Sequence, residues 1–209
     1  MQKISLILII LFLSTFVMKA QEEIVKKIRQ DYLDYNKKLE HLESGESLYI
    51  TAPFKIKTTQ IRPALGPVNI EIAYYFDEET KVLDAENPDN MNTTGTLRKL
   101  IYTESMPSFT DYREIFFDNK GNLLFYFSKL TGNTCGEKRM YFNVSKLIKI
   151  KFNPLDTKEC PEEDGGYQLP DFTRYTGKFT KEDLDWEKWI LKYAGYHKKS
   201  FQNLFESLQ

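Results

Sequence analysis

Groups able to donate, accept or attack fall into three sets in this 209-residue chain: two histidines, acidic clusters, and cations interleaved with aromatics. His41 lies at the polar end of a predicted helix and His197 in a Lys-rich stretch, and neither stands near a Ser or Cys motif. Both read as solvated surface residues. The chain holds no G-x-S-x-G, H-E-x-x-H, Walker or dinucleotide-binding signature, so nothing indicates His-assisted nucleophilic catalysis or a cofactor. Asp84, Glu86 and Asp89, or Glu162, Glu163 and Asp164, have the chemistry to hold Ca²⁺ in a loop. Neither set follows D-x-[DN]-x-[DN]-G, and solvated acidic loops are the simpler reading, so no metal is assigned. Two carboxylates suffice for glycoside hydrolysis wherever the fold pairs them, which keeps a small exported hydrolase among the readings.

The third set emerges from strand register. "REIFFDNKGNLLFYFSK" (113–129) and "KRMYFNVSKLIKIKF" (138–152) each place aromatics before Asp or Asn, then a polar break, then aliphatics. If Phe117 opposes Leu123, Ile115 opposes Phe125, and these share one face with Phe127. Met140, Phe142, Ile148, Ile150 and Phe152 continue that face, which is assigned to the core. The other face carries Phe116, Leu124, Tyr126, Arg139, Tyr141, Lys149 and Lys151. Aromatics among cations suit a protein or glycan partner, making Tyr126, Arg139, Tyr141, Lys149 and Lys151 candidate binding residues. The competing reading is that a helix covers the aromatics while Lys and Arg snorkel around it.

The elements that must position these groups are read from periodicity. Ile24, Ile28, Tyr32, Tyr35, Leu39 and Leu42 recur every three or four residues, predicting an amphipathic helix over 21–44 with Ser44-Gly45 as its stop. From 47 to 152 the period becomes that of strands. Nine are predicted: Leu48–Thr51, Phe54–Gln60, Val68–Phe76, Lys81–Ala85, Thr96–Thr103, Tyr112–Phe117, Leu123–Lys129, Lys138–Phe142 and Ile148–Phe152. In the loop "DNKGN", Asp118 can bond backbone two residues on and Gly121 can take a positive φ, so the phrase reads as a hairpin. Asn143 and, in "IAYYFDEETKVLD" (72–84), Asp77 take the same part, although neither loop has a glycine. Their spacing of 41 and 25 residues argues against a fixed-period solenoid. An irregular loop is predicted over 153–179. Thr180 and Asp183 approximate a capping box that opens a helical end over 180–209, with Gly195 placed to kink or end the helix.

Lys3, then a run from Ile4 to Val17 apolar except for Ser5, Ser14 and Thr15, then Ala20 before Gln21, read as a secretory signal cleaved after residue 20. The run is short for a bilayer span. Losing Lys3 and Lys19 takes the 29 basic residues to 27 against 30 acidic ones, a net charge of −3, which gives no reason to expect nucleic acid. No further long apolar run follows, so no transmembrane segment is expected in the mature chain. Residues 21–209 suffice for a single domain. Cys135 and Cys160 flank the predicted 138–152 hairpin, and in an oxidising compartment a disulfide is the default. The 26-residue loop it closes would stabilise by about 3 kcal/mol on the chain-entropy argument. Free thiols or a metal pair are the alternative, though no His lies near either Cys.

"IVKKIRQDYLDYNKKLE" and "FFDNKGNLLFYF" together resemble a group of uncharacterised bacterial secreted proteins with a short N-terminal helix and repeated aromatic-Asp-x-x-Gly-x-Leu hairpins. The likeness covers Ile24 to Asn36 and the hairpins at 112–129 and 138–152. It implies an envelope location and carries no catalytic residue. The hairpin is also similar to single units of YD-repeat proteins, from which it departs in spacing and in lacking a tyrosine before Asp118. The expectation is an α+β protein, an antiparallel meander flanked by an N-terminal helix and a helical end. It would be periplasmic or extracellular and act as a non-enzymatic binding module. A carboxylate hydrolase, or an inhibitor or immunity-like protein acting through its acidic Cys160–Asp164 loop, are the alternatives.

Overall fold

Alternating apolar residues make strands bury one face, and a chain whose strands are apolar on both faces needs a cover on each. In the computed structural model, which describes residues 2–43, 53–63, 65–82, 91–132, 134–155 and 167–208, that requirement is met by one helix per face. The order is α1 (Gln2–Glu43), β1 (Phe54–Arg62), β2 (Gly66–Val82), β3 (Met91–Met106), β4 (Phe109–Phe117), β5 (Leu123–Gly132), β6 (Thr134–Asn143), β7 (Lys146–Asn153), β8 (Tyr167–Gln168), β9 (Phe172–Tyr175) and α2 (Lys181–Glu206). Strands β1 to β7 run as an antiparallel meander in chain order, β9 adds antiparallel to β7, and β8 pairs parallel with β6. The protein is α+β.

Helix α1 lays Val25, Ile28, Tyr35 and Leu39 on Tyr75, Phe116, Phe125, Tyr141 and Ile148. The stripe is the predicted one with Val25 added; the Leu42 side chain, Ser44-Gly45 and the predicted strand at 48–51 lie outside the described residues. The helix runs through the predicted signal segment, and among the described residues no helix is long and apolar enough to cross a membrane. Helix α2 covers the other face, packing Ile190, Ala194, Phe201 and Phe205 on Phe76, Leu100, Ile115, Phe117, Tyr126, Met140 and Ile150. The Thr180–Asp183 capping box forms in full, and the helix continues through Gly195 without a break. Its far half is tied down by Lys198, which donates to the Gly121 carbonyl at 2.7 Å.

Two of the three repeated phrases are hairpins. Asp118 accepts from the backbone N–H of Lys120 at 2.9 Å and of Asn122 at 2.7 Å, and Gly121 has φ +75°. Asn143 pairs with Lys146 around Val144 and Ser145, both at positive φ, the geometry of a tight two-residue turn. The first phrase is different. Asp77 lies inside β2, which continues to Val82 opposite β3, so one long strand replaces the predicted turn and takes in Lys81 and Val82, while residues 83–85 of the predicted separate strand lie outside the described residues. Asp77 pairs with Arg98 on β3 in place of the backbone N–H groups that a turn would have offered it. The predicted 153–179 loop also acquires β8 and β9.

Candidate functional site

The predicted register holds at Phe117 opposite Leu123 and fails one step later. A β-bulge between Phe116 and Phe117 puts Ile115 opposite Tyr126 and Phe116 opposite Phe125. Tyr126 therefore points to the α2 face with Ile115 and Met140, and Phe125 and Phe127 go to the α1 face. A second bulge, at Tyr141/Phe142, moves Ile148 to the α1 face as well.

The five candidate residues consequently do not make one exposed surface. Tyr126 and Tyr141 are both 2% exposed and lie beneath different helices. Tyr141 accepts from Arg29 Nε of α1 at 3.0 Å. Lys149 is buried and pairs with Glu22 at 2.7 Å. Desolvation would raise the Glu22 carboxyl, but its hydrogen bonds from Lys149 and Tyr175 hold it below the usual range. Arg139 pairs with Glu137 at 2.6 Å and lies over the Phe127 ring, opposite half-buried Lys151. The α1 helix covers the aromatics of this face, and cations close around its edge.

What the fold does bring together lies on the opposite face, where a polar row interrupts the apolar core. Alternation along β4 carries Asp111 and Arg113 onto the face of Ile115 and Phe117. On β6 it carries Lys138 onto that of Met140 and Phe142. Across the ladder Arg113 faces Ser128, Ser128 faces Lys138, and Lys138 faces Phe152. Above this row α2 presents Trp186, Trp189, Tyr193 and His197, spaced three, four and four residues apart on one helix face. Between helix and row lies a cleft of about 850 Å³, floored by Asp111, Arg113, Tyr126, Ser128, Leu130 and Lys138. Lys181, Glu182, Asp185, Trp186 and Trp189 form its wall and rim. The chain has two tryptophans, and both line it.

The rings of the aromatic wall pack on one another. Trp186 and Trp189 meet edge to face at 5.6 Å, Trp189 stacks on Tyr193 at 5.1 Å, and Tyr126 meets Trp189 at 6.4 Å. Arg113 extends this stack. Its guanidinium lies 5.2 Å from the Trp189 ring centre and 5.4 Å from that of Tyr193, while Nε and Nη2 donate to the two oxygens of Asp111. Burial nevertheless outweighs that pairing and pushes the Asp111 carboxyl up.

Lys138 is 7% exposed, with Nζ 3.1 Å from the centre of the Trp186 ring and 4.9 Å from that of Phe152. No ion pair to it is found among the described residues. Burial pushes its ammonium down to about 7, only partly offset by Glu182 and Asp111 and deepened by Arg113.

His197, predicted to be solvated, is 3% exposed instead, because α2 does not end at Gly195 and rolls this position onto the sheet. Its Nδ1 is 3.0 Å from the Tyr74 hydroxyl, and burial, then nearby Arg113, hold its pKa down to about 4. His41 is exposed as predicted. Both acidic clusters considered for Ca²⁺ lie outside the described residues, and among the described residues no three His, Cys, Asp or Glu side chains are placed to hold a metal. Cys135 is fully buried at the start of β6 and no described cysteine is free; Cys160 lies outside the described residues.

Sequence reasoning missed the cleft, though its signals were present. Asp111-x-Arg113-x-Ile115 and Lys138-x-Met140-x-Phe142 put charge on the continuation of an apolar face, and the two tryptophans share a helix face with Tyr193. Comparison with protein-family models, curated proteins and solved structures finds no match for this chain.

Proposed function

We propose that this is an exported, non-enzymatic binding module whose ligand is a small molecule with a planar apolar body, held in the cleft between the start of α2 and strands β4 to β6. The single observation that carries the reading is the wall of Trp186, Trp189 and Tyr126 around about 850 Å³ of open space, the size of a small-molecule site. Apolar walls with a few convergent polar groups are what such sites are made of. Export rests on the signal-like residues 1–20. The protein or glycan partner expected on the aromatic–basic face loses its surface to α1, which directs attention to the cleft.

Intrinsic tryptophan fluorescence tests this directly, since both fluorophores line the site. Titration with naphthalene-sized aromatics should quench or shift the emission saturably, and Leu130→Arg should abolish the change while leaving the fold intact by circular dichroism. Emission unaffected by any such ligand would refute the reading.

One observation favours a second reading. Asp111, Glu182 and Asp185 all line the cleft, as a carboxylate hydrolase would require. Against it, Arg113 occupies both Asp111 oxygens and leaves no free acid at the floor. A hydrolase would release product from aryl glycosides and lose that activity in Asp111→Asn.

A further inference from the structure

Charges taken out of water are normally paired, because an uncompensated buried ion costs several kcal/mol. Three lysines among the described residues are buried: Lys99, Lys138 and Lys149. On the α1 face Lys99 pairs with Glu114 and Lys149 with Glu22, each at 2.7 Å. On the α2 face Lys138 has aromatic rings for neighbours and no carboxylate in ion-pair contact among the described residues.

The carboxylates that face it are committed elsewhere or stand in water. Asp111, on β4, is held by Arg113. Asp183, on α2, receives both Arg174 contacts at 3.0 Å and the helix cap. Glu182 and Asp185 are exposed on the first turns of α2, beside Lys181. Among the described residues of this face Arg113 and Arg174 each have a buried carboxylate, whereas buried Lys138, on the floor of the cleft, has none in ion-pair contact.

We infer that Lys138 is the anchor for the acidic group of a small organic acid, a planar apolar carboxylate whose ring lies against Trp186 and Trp189. The inference rests on the cleft being the ligand site and names the class of ligand it takes. The geometry suits such a molecule at both ends. Trp186 bridges them, since its ring face already meets Nζ and it packs at a right angle to Trp189. Ser128, the cross-strand neighbour of Lys138, adds a hydroxyl donor at the same depth. A carboxylate arriving at Nζ restores the missing ion pair, and because Lys138 titrates near neutrality its binding takes up a proton from solution. Affinity for the acid therefore falls about tenfold for each pH unit above that titration.

The test uses 2-naphthoate and its neutral isostere 2-naphthamide, with dissociation constants read from tryptophan emission at about pH 6 and about pH 8.5, a range over which the acid stays ionised. Wild-type protein should bind the naphthoate at least about tenfold more tightly than the amide at the lower pH, and the preference should shrink at the higher pH. In Lys138→Met, whose side chain has similar length and no charge, the preference should vanish at both pH values while the amide binds as to wild type. The wild-type pH series stands by itself should the variant fail to fold. Equal binding of acid and amide to wild type would overturn the anchor and leave the cleft as a ligand site. Binding of neither would overturn both.

Discussion

Lys138 and Trp186 meet with Nζ 3.1 Å from the ring centre, joining the middle of the sheet to the second turn of α2 across 48 positions of sequence. The contact places a buried amine in the wall of a cavity, where it does little for the fold and much for a ligand. Cation–π attraction returns about 1 to 2 kcal/mol, less than the cost of burying the charge.

Replacing Lys138 should therefore stabilise the free protein. Its folded pKa lies well below the unfolded value of 10.5, so the unfolded chain binds more protons between about pH 7 and 10.5 and wild-type stability rises with pH across that window. Lys138→Met should raise stability at neutral pH by about 2 to 3 kcal/mol and remove that slope, as measured by denaturant unfolding at several pH values. A destabilised variant would mean that the amine is a structural element of the core.

His197 supplies a second window, at lower pH. Its folded pKa of about 4 lies below the ordinary 6.5, so the unfolded state gains the proton first as pH falls, and stability present above 6.5 is lost on the way down through 4. The full loss is about 3 kcal/mol. Burial among the rings of Tyr74, Tyr193 and Tyr196, and then the charge of Arg113, keep the imidazole neutral. His197→Gln should flatten stability between about pH 6.5 and 4.5, above the range in which carboxylates such as Glu22 and Asp118 begin to protonate.

Tyr126→Ala and Tyr141→Ala should each cost about 3 to 5 kcal/mol, because both rings are buried beneath a helix. Only Tyr126→Ala should also alter ligand binding, since Tyr141 sits under α1, away from the cleft. Melting curves and fluorescence titration of the two variants separate the roles. A ligand effect from Tyr141→Ala with unchanged stability would restore the aromatic–basic face as a site.

How legible was this architecture in the sequence? Local signals carried the α1 stripe, the Asp118 and Asn143 turns and the Thr180 cap, because each is decided within a few residues by periodicity or side-chain-to-backbone bonding. The face of Tyr126 was not legible, since one extra residue in β5, Leu124, reverses the alternation and nothing in "NLLFYF" marks it. Nor was the β2 course through Asp77, which depends on Arg98 from another strand. The cleft combines alternation on β4 and β6, visible in outline, with the seating of α2, which is set by long-range packing of Phe201 and Phe205 on Phe54 and Phe76.

A Cys135–Cys160 bridge is part of the proposal that the protein is exported. Peptide mapping without reduction should recover the linked pair, and the double Ser variant should lose about 3 kcal/mol. Alkylation of both thiols in the unreduced protein would exclude the bridge.

The most direct measurement is a crystal structure of the mature protein with 2-naphthoate. The ring should lie against Trp186 and Trp189, with a carboxylate oxygen about 2.8 Å from Lys138 Nζ. A ligand bound elsewhere on the molecule, with the cleft unchanged, would contradict the assignment of the site.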